Sequence, residues 1–358
     1  MAPDQSSTAA DAASSPAAPS LAELSEGEVL ARVLTRLSAG SPGAETLVGP
    51  GDDCAVVRAP DGRFVVTTDM MVHGPDFRLA WSTPFDLGWK AAASNLSDVA
   101  AMGARPTALV VAIAAPQELG VDVLEGIADG LAAGCAAMAP GCGVVGGDLS
   151  ASATLTLSIT AFGSLDDRAP VLRSGARPGD VLAVAGVLGA AGLGLRLLFE
   201  LAQEGGAPSA RLAARLRERL PALLDAQLRP TSPIAAGIAA GASATAMMDV
   251  SDGVVLDARR MARASGVVLD LDPAAVDAHA AALTDVDGID AALSRSLVLG
   301  GGEDHAMLAC FPEGVALPEG FTALGRVREG RAEVRLGGAA LEDRGGWDPY
   351  LGWDGAAG

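Results

Sequence analysis

The sequence predicts a mixed α/β protein of two domains, and three observations carry that expectation. Apolar runs of strand length alternate with amphipathic stretches of helix length along the chain. A segment dense in charge, Pro and Gly interrupts the alternation near residue 165, and 358 residues at 50% hydrophobic content suffice for two cores. The first twenty residues, "MAPDQSSTAADAASSPAAPS", have neither a basic start nor an apolar centre and predict a disordered tail rather than an export signal. "EGEVLARVLTRL" has the helical period, "RFVVTTDM" reads as a buried strand, "PFDLGWKAAASNLSDVAAMG" as a helix closed by Gly103, and "TALVVAIAAP" as another strand. The helix "VDVLEGIADGLAAGCAAM" then leads to the strands "GVVGGD" and "TLTLSITAFG". The last alternates Thr154, Thr156, Ser158 and Thr160 with Leu155, Leu157 and Ile159, so one sheet face is apolar and the other wet or interfacial. "LDDRAPVLRSGARPGD" marks the boundary, giving a tail at 1–20, an N-terminal domain at 21–165 and a C-terminal domain at 166–358. Beyond it come the strand "DVLAVAG", a helix from Ala190, a polar break "QEGGAP", an Arg-rich helix, the strand "ATAMMD", the helix "GVVLDARRMARASG", the strand "GVVLDLD" and then short strands.

Charge and composition exclude several function classes. A net charge of −19 opposes nucleic-acid or anionic-membrane binding through a basic surface. The apolar uncharged run 181–195 is shorter than the roughly 20 residues of a membrane helix, and a cytoplasmic location is expected. Cys54, Cys135, Cys142 and Cys310 form no CxxC pair and read as reduced, buried thiols.

The informative residues are carboxylates. "VGPGDDCAVV" sets Asp52 and Asp53 behind a Gly-Pro-Gly turn and before an apolar run, where like charges repel and burial demands a cation or several donors. Elsewhere an apolar strand runs into an aspartate beside a small residue: Asp69 in "VVTTDMM", Asp148 in "VVGGDLS", and Asp249 with Asp252 in "MMDVSDG". Asp98 joins them from a helix on which it shares a face with Asn95. Any one of these suits an ordinary turn or cap, but hard oxygen donors in such number suit Mg²⁺ with a phosphate substrate and do not suit zinc. No GxxxxGK[ST] occurs, and Lys90 is the only lysine, so phosphates must be met otherwise; backbone amides of the glycine turns at Gly146–Gly147 and Gly300–Gly302 could do it, helped by arginines such as Arg173. A glycine turn serves equally well as a plain tight turn. His73 and His305 could touch a ligand, His305 reading first as the start of a strand, and Arg259, Arg260 and Arg263 read as a solvated helix face.

Taken in order, "VGPGDDCAVV", "TTDMMVHGPDF", "AASNLSDVAAMGA", "VVGGDLS", "RSGARPGD", "MDVSDGVVLD", "LGGGEDH" and "GWDPY" resemble the thiamine-monophosphate kinase family, over nearly everything after residue 25. The resemblance implies the two-domain fold of the aminoimidazole ribonucleotide synthetase-like superfamily: an N-terminal sheet that forms a barrel in a homodimer, and a C-terminal α/β domain. It also implies ATP as co-substrate, several Mg²⁺ ions, and direct transfer of the γ-phosphoryl group to thiamine monophosphate. Residue by residue, it implies metal ligation by Asp53, Thr68, Asp69, Asp98, Asp148, Asp249 and Asp252, with Asp148 and Asp252 also catalytic. Thr67, Gly147, Arg173 and Ser251 would meet ATP, and Asp76, Glu303 and Trp347 the thiamine end. The chain departs from the family where many members carry a histidine before Phe77 and this one has Asp76, and where the closing Gly-aromatic-Asp-His reads Gly346-Trp347-Asp348-Pro349. A thiazolium ring stacked on Trp347 would gain roughly 0.5–2 kcal/mol, whereas Tyr350 and Trp353 read as ties for the tail. Other ATP-using relatives, of the aminoimidazole ribonucleotide synthetase or hydrogenase-maturation kind, and a non-catalytic nucleotide or thiamine phosphate sensor are the alternatives. A complete carboxylate set speaks against the sensor, since binding alone tolerates losses that metal-assisted transfer does not.

Overall fold

The computed structural model describes residues 18–38, 45–48, 56–284, 286, 288–342 and 346. A 3₁₀ turn, Leu21–Glu23, precedes α1 (Glu26–Ser38) and a ribbon of β1 (Thr46–Val48) with β2 (Val56–Val57). Then follow β3 (Val65–Val72), α2 (Pro84–Ala101), β4 (Arg105–Ala115), α3 (Val121–Met138), β5 (Val144–Ala151) and β6 (Thr156–Ser164). The last four strands make a sheet of order β3-β6-β4-β5, with β4 and β5 parallel and the other pairs antiparallel. The alternation read in β6 holds: Leu157, Ile159 and Ala161 are fully buried on the inner face, against α2, while Ser158 and Thr160 point outward. On the same outer face Val66 and Met70 are 54% and 60% exposed.

Helix α2 is the spine between the two halves. Thr83 caps it by accepting from the Asp86 amide at 3.2 Å while the Asp86 carboxylate accepts from the Thr83 amide at 3.1 Å, and Pro84 at the first position presets the turn. Gly103, at φ +70°, follows its end as the sequence indicates. Leu87, Ala91 to Ala93, Leu96, Val99 and Ala100 are fully buried, because α2 is covered by the sheet, by α3 and by the C-terminal half.

That second half contains β7 (Val181–Ala185), α4 (Ala190–Leu201), the small hairpin β8 (Gln203–Glu204) and β9 (Ala207–Pro208), α5 (Ala210–Arg219), α6 (Pro221–Leu228), α7 (Ile234–Ala240) and β10 (Ala246–Val250). Next come α8 (Val254–Ser265), β11 (Val268–Leu271), α9 (Pro273–Ala281), α10 (Ala291–Gly300), β12 (Ala306–Phe311), β13 (Phe321–Arg328), β14 (Glu333–Leu336) and β15 (Ala339–Ala340). Seven strands form a mixed sheet of order β10-β12-β7-β13-β11-β14-β15. The stretch after β11 reads in sequence as passing straight to short strands, yet α9 and α10 come first. Asp272 and Asp290 cap them, accepting from the amides of Ala274 at 2.9 Å and Leu293 at 2.8 Å, so two caps outweigh weak apolar periodicity.

One of the two hydrophobic cores spans both halves, holding Leu96 and Val99 together with Met247, Met307 and Phe311. Polar links cross the same boundary. Trp89 Nε1 donates to the Pro230 carbonyl at 2.7 Å, Trp81 Nε1 to that of Ala202 at 3.0 Å, and the Arg217 guanidinium grips both oxygens of buried Asp86 at 2.7 and 2.9 Å.

Candidate active site

The inner face of the first sheet, α2 and the end of β10 bring acids together. Thr67 and Asp69, two residues apart on β3, share that face, and Thr67 Oγ1 donates to Asp98 Oδ2 at 2.7 Å. Asp249, buried at the end of β10, accepts from the Ser97 hydroxyl at 3.1 Å and faces Nδ1 of buried His305 at 3.3 Å. Burial pushes the Asp98 carboxyl up to about 7, and the charges of Asp249 and Asp69 add to the effect. Asp69 is raised for the same first reason, with His305 opposing and Asp249 reinforcing. His305 titrates above the ordinary imidazole range: burial disfavours its charge, but the hydrogen bond and charge of Asp249 outweigh that. A cavity of about 450 Å³ opens here, lined by Thr67, Asp98, Arg173 and Asp249 between the two halves. Four residues singled out in the sequence therefore share one space.

A second cavity, of about 220 Å³, holds Asp76 and Glu303. Glu303 pairs with the buried Lys90 ammonium at 2.8 Å and also accepts from the Gln227 amide nitrogen. Burial would raise its pKa, but Lys90 and Gln227 bring it below the ordinary glutamate range. Asp76 accepts from the Val72 amide at 2.7 Å, and burial raises its pKa. His305 feels the charges of both Asp249, which lines the first cavity, and Glu303, which lines the second.

Close backbone packing builds the loops between them. The Glu303 amide donates to the Ser251 carbonyl at 2.7 Å, and a Cβ on Gly302 would come within 2.7 Å of that same oxygen. Across the same seam a Cβ on Gly253 would meet the Gly300 backbone at 2.9 Å, so "SDG" and "GGGED" need glycine for contact between chains of backbone. Glu303 and His305 sit at φ +68° and +50°, a strained conformation for residues with side chains and one that clusters at functional sites. Asp252, at the start of α8, accepts from Arg260 Nη1 at 2.6 Å, and Arg260 also reaches buried Asp257 at 2.6 Å. Arg260 is therefore an anchor for the loop and not part of a solvated face.

Other residues stand apart. Thr68 points to the outer face, where its hydroxyl donates to the Ile159 carbonyl at 2.9 Å. Register through Thr160, Val110 and Gly146 places Asp148 on that outer face too, exposed on edge strand β5, about 14 Å across the sheet from β3 at the usual strand spacing. Gly147 lies on the inner face in one row with Asp69, and a Cβ there would strike the Val111 carbonyl at 2.0 Å. Asp53 and Trp347 lie outside the described residues. Among the described residues no three His, Cys, Asp or Glu side chains cluster tightly enough to hold an ion by themselves. The sequence reading leaves Lys90 out of the site, although its spacing of four and eight from Ser94 and Asp98 on one helix face could have placed it there; nothing in the sequence singles out Gln227 or Arg78.

Residues 51–165 match the AIR synthase related protein N-terminal domain and residues 177–330 its C-terminal domain. The thiamine-monophosphate kinase of Mycobacterium tuberculosis (strain CDC 1551 / Oshkosh) is 43% identical over 336 residues, 94% of this chain and 92% of that one. The chain belongs to the thiamine-monophosphate kinase family. The family's solved members share the two-domain fold. A thiamine-monophosphate kinase structure from Stenotrophomonas maltophilia K279a superposes with a TM-score of 0.72 at 30% identity, covering 89% of this chain and 98% of that one. A structure of AaThiL complexed with AMPPCP and TMP superposes with a TM-score of 0.67 at 29% identity, covering 90% and 96%.

Proposed function

We propose that this chain transfers the γ-phosphoryl group of ATP directly to thiamine monophosphate, giving thiamine diphosphate without a phosphoenzyme. The carrying observation is a pair of acid-lined cavities, one with Asp98 and Asp249 and the other with Asp76 and Glu303, in a chain 43% identical to a thiamine-monophosphate kinase over nearly its whole length. In this reading ATP occupies the larger cavity, met by Thr67, Arg173 and Ser251 and by the backbone at Gly147, and thiamine monophosphate occupies the smaller one beside Asp76 and Glu303; Trp347 keeps the thiamine-binding role that the resemblance gives it. The acceptor phosphate is already ionised near neutrality, so no strong base is needed, and His305 is engaged with Asp249. What the residues must supply is position and relief from repulsion.

The donor set fits Mg²⁺. Asp69, Asp98 and Asp249 are oxygen donors whose carboxyls repel one another, and Asn95 Oδ1, fully buried on the Asp98 face of α2, has no donor among the described residues. Asp69, Asp98, Asp249 and Asp252 would hold ions together with Asp53, while Thr68 and Asp148 would serve from the outer face. Bound there, Mg²⁺ would neutralise phosphate charge that the acids otherwise repel. The outer face, with Val66 and Met70 exposed, is in this reading the homodimer surface. A cytoplasmic setting follows from the ATP requirement; among the described residues no helix is long and apolar enough to cross a membrane. The test is to incubate purified protein with ATP, Mg²⁺ and thiamine monophosphate: thiamine diphosphate should form, and binding of both ligands without product would leave a sensor instead.

A further inference from the structure

The smaller cavity carries polar groups that no contact within the chain satisfies. Gln227, 4% exposed, gives its amide nitrogen to Glu303. Because Lys90 at 2.8 Å keeps Glu303 an acceptor, the nitrogen must face the carboxylate and the oxygen is left over. That oxygen, Gln227 Oε1, is buried and has no donor among the described residues. A buried acceptor left alone is costly, so its persistence in a side chain that lines the cavity points to a ligand that donates. On the same wall is Arg78, 8% exposed, whose guanidinium lies 4.8 Å from the Trp81 ring centre and 4.7 Å from that of Phe199. Among the described residues it has aromatic faces for company but neither carboxylate nor carbonyl, so its N–H groups are unspent donors.

One fixed acceptor, spare donors and aromatic walls match a flat heteroaromatic ring bearing an amino group next to a ring nitrogen. We propose that this cavity receives the aminopyrimidine half of thiamine monophosphate, with Gln227 Oε1 accepting from the 4-amino group and Arg78 donating to the ring. Gln227 is then the residue that selects 4-amino over 4-oxo pyrimidines. In the 4-oxo ring both polarities reverse: a carbonyl faces the Gln227 oxygen and a ring N–H faces the arginine. The proposal rests on the kinase reading above and adds the subsite and the residue that chooses the substrate.

The experiment compares kcat/KM for thiamine monophosphate and its 4-oxo analogue, oxythiamine monophosphate, with the wild-type protein and with Gln227→Met, which keeps the length and removes the acceptor. The wild type should prefer the amino substrate by about 100-fold or more, as sites built to hydrogen-bond a substrate do. Gln227→Met should lose about 30-fold on the amino substrate, mostly in KM, and change less than about 3-fold on the oxo analogue, collapsing the preference. Equal use of the two substrates by the wild type overturns the inference whether or not the variant folds, and so does a preference that survives in Gln227→Met. No turnover of thiamine monophosphate at all overturns the kinase reading itself, a different result from turnover without discrimination.

Discussion

At the scale of single residues, the site is dominated by acids whose charge is costly where they stand. Asp98 is the clearest case, its carboxyl raised to about 7 by burial and by its acidic neighbours. Between about pH 4 and pH 7 the folded protein therefore holds a proton that the unfolded chain has released, and stability from this group falls as pH rises through that window. A divalent ion must displace the same proton. Titrating Mg²⁺ with an unreactive ATP analogue at pH 6 should release about one proton per site, and the apparent affinity should rise towards pH 8. Calorimetry in two buffers of different ionisation enthalpy reads this directly, and zero proton release would remove Asp98 from the ion site. Asp148 poses the opposite problem, being exposed and on the other face of the sheet. Asp148→Asn should still lower kcat by about 100-fold or more if it holds an ion that neutralises the transferred phosphoryl group, with the melting temperature unchanged. Unchanged turnover at saturating Mg²⁺ would restrict the chemistry to the inner row.

At the scale of elements, α2 decides most of the site. It supplies Lys90, Asn95, Ser97 and Asp98 from one buried helix, fixed at its start by Thr83 and Asp86. Lys90→Met should lower stability by about 2–3 kcal/mol, because Glu303 would lose its cation while still confined beside Gln227. Urea unfolding at pH 7 measures the loss, and the double variant Lys90→Met with Glu303→Gln should recover part of it. Much of this helix was legible in advance. Its Thr-Pro start, its Gly103 stop and its apolar stripe are local signals, and so is the alternation in β6 that separates inner from outer face. The acids were legible as a chemical type, and Thr67, Asp98, Arg173 and Asp249 do share a cavity. What could not be read was facing and partnership. That Thr68 turns away from Thr67 follows from strand geometry, but which of the two faces inward depends on where α2 lies. That Arg260 serves Asp252 and Asp257, and that Gln227 meets Glu303, depends on contacts between distant segments that no local pattern encodes.

At the scale of the whole molecule, the outer face of the first sheet leaves Val66 and Met70 more than half exposed, and Phe64, just ahead of β3, is 58% exposed as well. If two copies close on this face, Met70→Asp should convert dimer to monomer in sedimentation or light scattering at micromolar concentration; an unchanged mass would place self-association elsewhere. The inner side of the same domain faces the Arg217 fork on Asp86, a carboxylate only 1% exposed. A chain severed between residues 165 and 180 would strip that acid of its guanidinium and bare the shared apolar seam, so neither fragment should persist alone. Divisible on paper into two modules, the protein behaves as a single inheritance, and a swap of either module between relatives would succeed only if the lock and its key travelled together.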